Sequence, residues 1–192
     1  MSPRPSGLPS GSDFRRYTAA QARERRDDVE RIFRDSYIDA IESGETFESP
    51  DAFMHRFDAY TDPDRAGAFE LVIARLDGEL CGQAWGWPLT AKTWWWDGLE
   101  LDQGDQASYT TENGSRTFAF SRIMVRKQFT GRGIARALHD ELLEGRSEQR
   151  AALWIELRRA GSGSPCRDRG DAAVAHPPAD ADGQRYQDGE KP

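Results

Sequence analysis

Lysine is scarce in this chain: Lys92, Lys127 and Lys191 are the lysines among 192 residues, and arginine carries the rest of the positive charge, a bias of coding rather than of function. Positive charge as a whole is outweighed, with a formal net charge of -7 at pH 7. That balance argues against a nonspecific nucleic-acid binder. Cysteine is nearly missing. Cys81 and Cys166 form no C-x-x-C pair and sit near no histidine at metal-ligand spacing, so a disulfide framework and a zinc site are excluded and a reduced, cytoplasmic protein is expected. No stretch approaches the ~18 consecutive apolar residues of a membrane-spanning helix. The opening MSPRPSGLPSGSDF has no apolar segment of the kind a secretory signal needs. The run G-x-x-x-x-G-K-[ST] of a P-loop is absent as well, and there is no internal repeat.

What remains is enough for one domain. Hydrophobic residues make up 37% and charged residues 31%, which suits a water-soluble core with some unpacked length. Residues 1–13 are rich in Pro, Gly and Ser and are expected to be flexible. From Asp27, the apolar positions Val29, Ile32, Phe33, Tyr37, Ala40 and Ile41 recur at helical spacing up to Ser43-Gly44. Ser49-Pro50 starts a second helix, serine as N-cap and proline in the first turn. Phe53, Phe57 and Tyr60 form its apolar stripe, and Asp62-Pro63 stops it. AFELVIAR (68–75) and LCGQAWGW (80–87) read as antiparallel strands joined by an Asp77-Gly78 turn. A long connection from Pro88 to Arg116 holds Trp94, Trp95 and Trp96, either as a lid or as a loop pinned by aromatic burial.

The next strand, TFAFSRIMVR (117–126), changes parity along its length. Phe118 and Phe120 are its apolar residues on even positions, Ile123 and Val125 on odd ones. One extra residue near Ser121-Arg122 reconciles the two halves, which is a β-bulge. The following QFTGRGIARALHDELLEG opens a helix on a glycine-rich loop, with Ile134, Leu138 and Leu142 on its apolar side and Gly145 at its end. A helix start exposes unpaired amides and a positive dipole end, and glycine lets an anion approach the backbone closely. A phosphate is the natural guest. The Rossmann fingerprint G-x-G-x-x-G places its third glycine where this chain has Arg136, and the strand ends too far before Gly131. An ordinary capped helix start, with Thr130 as N-cap, is the plainest alternative.

IMVRKQFTGRGIARALHDELL resembles the acyl-coenzyme-A motif of the GNAT-superfamily N-acetyltransferases, [QR]-x-x-G-x-[GA], with Thr130, Gly133 and Ala135 at its defined positions. Thr130 departs from the family's Gln or Arg. The order of elements agrees over about residues 13–156: two helices, a hairpin, the bulged strand, the loop-helix and a further strand, AALWIE (151–156). The resemblance implies an α/β (α+β) fold, a mixed and mostly antiparallel sheet flanked by helices. It implies acetyl-CoA as cosubstrate and a small-molecule or protein amine as acceptor, with no nucleic acid and no membrane as partner. The amides of Thr130, Gly131, Arg132, Gly133, Ile134 and Ala135 would cradle the pyrophosphate. Backbone groups of Ile123, Met124 and Val125 would pair with the pantetheine arm, an amide near Met124 facing the thioester oxygen.

Attack by an amine needs a base, since an alkylammonium has a pKa near ~10.4. The bulged strand offers Ser121 and Arg122 but no carboxylate, so Glu156 is the candidate catalytic residue. His139 reads as a helix-surface residue, and His55 and His176 have no supporting partners. The loop from Glu42 to Glu48 would border the acceptor, with Glu45 and Glu48 able to attract an amine. The family's tyrosine acid has no counterpart in residues 157–192, where Tyr186 stands in the wrong context. That stretch is poor in large apolar residues and is expected to be a disordered tail foreign to the family, leaving residues 14–156 as an incomplete domain from a truncated or frameshifted gene. Its open sheet edge at Leu153-Trp154-Ile155 invites a homodimer. Three readings stay open: an acetyl-CoA-dependent N-acetyltransferase acting by direct attack, an acyl-CoA-binding remnant impaired in catalysis, and a Rossmann-type nucleotide binder.

Overall fold

The structure is a computed structural model that describes residues 8–44, 46–64, 66–99, 101 and 104–153. In chain order the elements are β1 (Ser12–Thr18), α1 (Ala19–Arg23), α2 (Arg26–Ser36), α3 (Ile38–Glu42), α4 (Pro50–Tyr60), β2 (Glu70–Leu76), β3 (Glu79–Pro88), α5 (Gln106–Thr110), β4 (Thr117–Val125), α6 (Ile134–Leu143) and β5 (Arg150–Leu153). Among the described residues the strands form one sheet in sequential order. β1 to β4 pair antiparallel, and β5 lies parallel to β4.

Local chemistry accounts for most of these boundaries. Asp77 (φ 51°) and Gly78 (φ 83°) close the β2–β3 hairpin; positive φ at both central residues matches the right-handed twist of the strands. The Ser49 hydroxyl accepts from the Ala52 amide at 3.3 Å, and Pro50 opens α4, as expected. The helical run from Asp27 to Ile41 is not one helix. It breaks at Tyr37 (φ -113°, ψ 23°) into α2 and α3. At that break the Tyr37 ring stacks on Phe33, four positions earlier, with centroids 5.1 Å apart, and its hydroxyl accepts from Arg122 of β4. β1 and α1 carry no strong apolar pattern and escape the sequence reading. α1 starts on a reciprocal cap, Thr18 with Gln21.

Two apolar layers cover the sheet. On one side, Val29, Ile32 and Phe33 of α2 and Phe53 and Phe57 of α4 pack on Leu71, Ile73, Trp85 and Met124. On the other, Ile134, Leu138 and Leu142 of α6 pack on Val72, Ala84, Phe118 and Phe120, with Ile123 and Val125 against them. The long connection is pinned by burial. Trp96 is buried with Leu89 and Leu99, donates to Glu112 at 3.0 Å, and meets Tyr109 edge-on at 5.5 Å. Glu112 also accepts from Thr117, so this anchor sits at the start of β4, away from the glycine loop that follows its end.

Candidate active site

The parity change in β4 is a bulge. Trp85 pairs with Arg122 and Gly86 pairs with Phe120, leaving Ser121 without a partner on β3. Phe118 and Phe120 face α6 before it; Ile123 and Val125 face α6 after it. The even positions Arg122 and Met124 are thereby turned to the α2/α4 side, where Met124 is buried. Gly86 answers the bulge: a Cβ there would lie 2.1 Å from the Ala119 carbonyl oxygen and 2.8 Å from the Phe118 ring. β5 pairs with β4 from Thr117 to Phe120. Beyond it, the edge of Ser121–Val125 that faces away from β3 has no strand partner among the described residues. Ile123, Met124 and Val125 lie on this stretch.

The approach from β4 to α6 is tied down by side chains. The buried Arg126 donates to Asp35 of α2 at 2.8 Å, to Glu79 at 2.9 Å and to the Leu80 carbonyl. Lys127 reaches Asp39 of α3 at 3.0 Å. Phe129 is buried against the α6 layer and closes a 3-10 turn over Lys127–Phe129. Thr130 ends that turn, its hydroxyl donating to the Lys127 carbonyl at 2.8 Å. Thr130 is thus no N-cap for α6. The N-cap is Gly133 (φ 77°), and no side chain caps the helix.

Gly131 (φ 75°) and Gly133 both need the left-handed conformation, and a Cβ at either would meet nothing within 4 Å. The loop surface is therefore open. Ala137 is the first residue of α6 whose amide reaches back into the loop, to Gly133. The amides of Gly131, Arg132, Gly133 and Ile134 have no acceptor among the described residues. Ile134 is buried and anchors the helix start, while Arg132, Ala135 and Arg136 are exposed and no acidic residue stands in the first turn. Free amides, a positive dipole end and two exposed guanidinium groups make a site for a phosphate-bearing ligand. The residues present fit the pyrophosphate of a coenzyme.

On the α2/α4 side, a carboxylate not placed by its spacing comes to the bulge. Glu48 ends the 3-10 turn Thr46–Glu48 and is 4% exposed. Its Oε1 accepts from Arg122 at 3.4 Å, and Arg122 also donates to the Tyr37 hydroxyl at 3.3 Å. Burial works against the Arg122 charge, but Glu48 and Tyr37 outweigh it and hold the guanidinium pKa above its ordinary value. The sequence puts Glu48 in the loop that would border the acceptor, and its pairing with Arg122 is not legible there. His139 stacks on Phe120 at 5.0 Å, half-exposed on the helix surface. Glu45, Trp154, Ile155, Glu156, His176, Tyr186 and the whole of residues 157–192 lie outside the described residues. Among the described residues no group of three or more His, Cys, Asp or Glu is arranged to hold a metal, and no helix is long and apolar enough to cross a membrane.

Residues 26–160 match the Acetyltransferase (GNAT) family. No curated protein sequence matches the chain. Solved structures are similar at low identity. A GNAT-family structure from Desulfovibrio desulfuricans is 21% identical over 68% of this chain and 63% of its own, with a TM-score of 0.39. The ribosomal-protein-alanine N-acetyltransferase of Brucella melitensis biovar Abortus 2308 is 18% identical over 83% and 99%, TM-score 0.46. PaiA N-acetyltransferase of Thermoplasma acidophilum, solved with coenzyme A, is 13% identical over 68% and 68%, TM-score 0.38. The chain thus spans less than two thirds of the Desulfovibrio structure. The antiparallel pairing of β1 to β4 rules out the parallel sheet of a Rossmann domain. With the bulged strand, the open glycine loop and a family match over most of its length, the chain belongs to the GNAT acetyltransferase family.

Proposed function

We propose that this protein is an acetyl-CoA-dependent N-acetyltransferase that transfers acetyl to a primary amine by direct attack. The observation that carries the reading is β4: a bulge at Ser121, a strand edge with no described partner, and at its end a loop of unpartnered amides opening α6. When bound, acetyl-CoA would supply a thioester carbonyl to a neutral amine: the C–N bond forms, the C–S bond breaks, the amine's proton passes to a base and coenzyme A leaves as the thiol. The chain's own residues hold and orient. The amides of Gly131 to Ala135 would take the pyrophosphate, with Arg132 and Arg136 adding charge, while the Thr130 amide already donates to the Lys127 carbonyl at 3.3 Å. Ile123, Met124 and Val125 pair with the pantetheine arm, and a β4 amide near Met124 stabilises the oxygen on which negative charge grows. Glu156 keeps the proposed role of base, checked by the pH profile of Glu156→Gln.

The competing reading is a coenzyme-binding remnant without turnover, which rests on residues 157–192, outside the described ones; the homodimer expected along Leu153-Trp154-Ile155 rests on residues of which only Leu153 is described. Calorimetric titration of the 192-residue chain with acetyl-CoA, NADH serving as control, tests the main reading. Saturable binding of acetyl-CoA alone is expected, and Gly133→Val should weaken it by at least about 10-fold, since a β-branched residue at positive φ distorts the loop. Affinity unchanged in Gly133→Val would place the pyrophosphate elsewhere. Thiol release on adding amines separates an enzyme from a remnant.

A further inference from the structure

We propose that Arg122 and Glu48 form a recognition pair for an acceptor that carries a carboxylate beside its amine, an amino-acid-like zwitterion. The inference rests on the acetyl-transfer reading, because it takes the α2/α4 side of β4 as the acceptor side. The bulge at Ser121 is what turns Arg122 to this side, opposite Trp85. There its Nη1 makes two long contacts, 3.3 Å to Tyr37 and 3.4 Å to Glu48, against about 2.9 Å for a well-made N–H···O bond. Nε and Nη2 donate to nothing among the described residues. On its partner, Glu48 Oε2 is buried and accepts from nothing among the described residues.

Two structural arginine–carboxylate pairs in the same chain look different, and Glu112, which also has an unpartnered buried oxygen, is held on the other by three donors at 2.6–3.0 Å. Arg146 holds Glu148 with two bonds at 2.8 and 3.2 Å, and Arg26 holds Asp58 with two at 3.1 and 3.2 Å. The Arg122–Glu48 pair is single, long and unsatisfied on both sides. A buried oxygen left without a donor costs free energy that native structures rarely carry without a reason. A guanidinium with two free donors suits a carboxylate, which it binds as a fork; the free oxygen of Glu48 suits an ammonium. Arg122 keeps 24% of its side chain exposed, against 6% for Glu48. The Phe47 ring, 57% exposed, stands 5.9 Å from the Arg122 guanidinium, with Tyr37 at the same distance. Arg122 immediately precedes Ile123 on the proposed coenzyme strand, so a carboxylate held there keeps a neighbouring amine close to the reacting end.

Calorimetric titration of the full chain with L-amino acids and their carboxamides, compared side chain by side chain, tests the pair. The carboxamide keeps the amine and loses the carboxylate. Binding of the acid at least about 10-fold tighter than its amide is expected, the range of a charged hydrogen bond. The preference should vanish in Arg122→Gln and survive in part in Arg122→Lys, which also serves if the glutamine variant melts early. Glu48→Gln should weaken acid and amide alike. Equal binding of acid and amide, no binding of either, or a preference that survives Arg122→Gln overturns the proposal. Acetyl-CoA titrated into the same sample separates two failures. Acid preference without coenzyme binding sinks the acetyl-transfer reading alone, and coenzyme binding without preference sinks the pair alone.

Discussion

Phe120 and Ile123 lie on the same face of the sheet, against α6, although they are three positions apart in one strand. Side chains alternate faces in a strand, so an odd step should have placed them on opposite sides. Ser121, unpaired in the β3–β4 register, restores the match. The bulge thus does two things at once. It keeps both halves of β4 packed on α6, and it turns Arg122 to the opposite face, beside Glu48. Deleting Ser121 removes the parity change and puts Ile123 and Val125 on the wrong side. Loss of the cooperative thermal transition is the expected outcome, read by circular dichroism; a wild-type melt would mean that the bulge is dispensable.

Gly86 lies where a Cβ would strike the Ala119 carbonyl and the Phe118 ring. Its backbone needs no positive φ, so the constraint is steric. Gly86→Ala should cost about 1–3 kcal/mol, as overpacking of a tight core does. Urea unfolding of the variant beside wild type measures it, and an unchanged midpoint would deny the close approach.

Glu112 has a fully buried side chain, and its Oε1 accepts from Trp96 at 3.0 Å, Thr117 at 2.6 Å and Arg150 at 2.9 Å. It joins the tryptophan loop to β4 and β5. Glu112→Ala strands these donors and should cost roughly 3–5 kcal/mol, the range for breaking a buried ion pair from one side. A red shift of tryptophan emission at native pH should accompany it. Glu112→Gln keeps an acceptor oxygen and should lose less.

Glu148 sets an acid limit. Burial pushes its carboxyl up, but the two-bond grip of Arg146 outweighs burial and leaves the pKa below the ordinary glutamate value. A depressed pKa means that the folded state binds the proton less readily than the unfolded chain. Its stabilisation is therefore present above the unfolded pKa, near ~4.3, and is lost as pH falls through the lower folded value. Urea midpoints measured from pH 6 down to pH 3 should fall less steeply in Glu148→Gln than in wild type.

Cys81 should be inert in the folded protein. Burial pushes its thiol up to about 11, which leaves little thiolate at pH 8. With Cys166→Ser removing the other thiol, alkylation of native protein should run roughly 100-fold slower than in urea, since reactivity follows the thiolate. Equal rates would mean that the β3 strand opens readily.

Much of the fold was written in short-range pattern. The Asp77-Gly78 turn, the Ser49-Pro50 helix start, the α6 stripe and even the bulge follow from turn chemistry, capping and the periods of helix and strand. Each is a local rule that the chain obeys before it folds. What only the tertiary structure decided needed distant partners. Tyr37 breaks its helix where its hydroxyl meets Arg122 of β4. β1 is a strand because β2 offers it an edge, not because SDFRRYT alternates cleanly. Glu48 is a neighbour of Arg122 across 74 residues of sequence. No spacing rule reports such a distance, because a charge pair leaves no period in the sequence; it is visible only once the sheet has brought its two ends together.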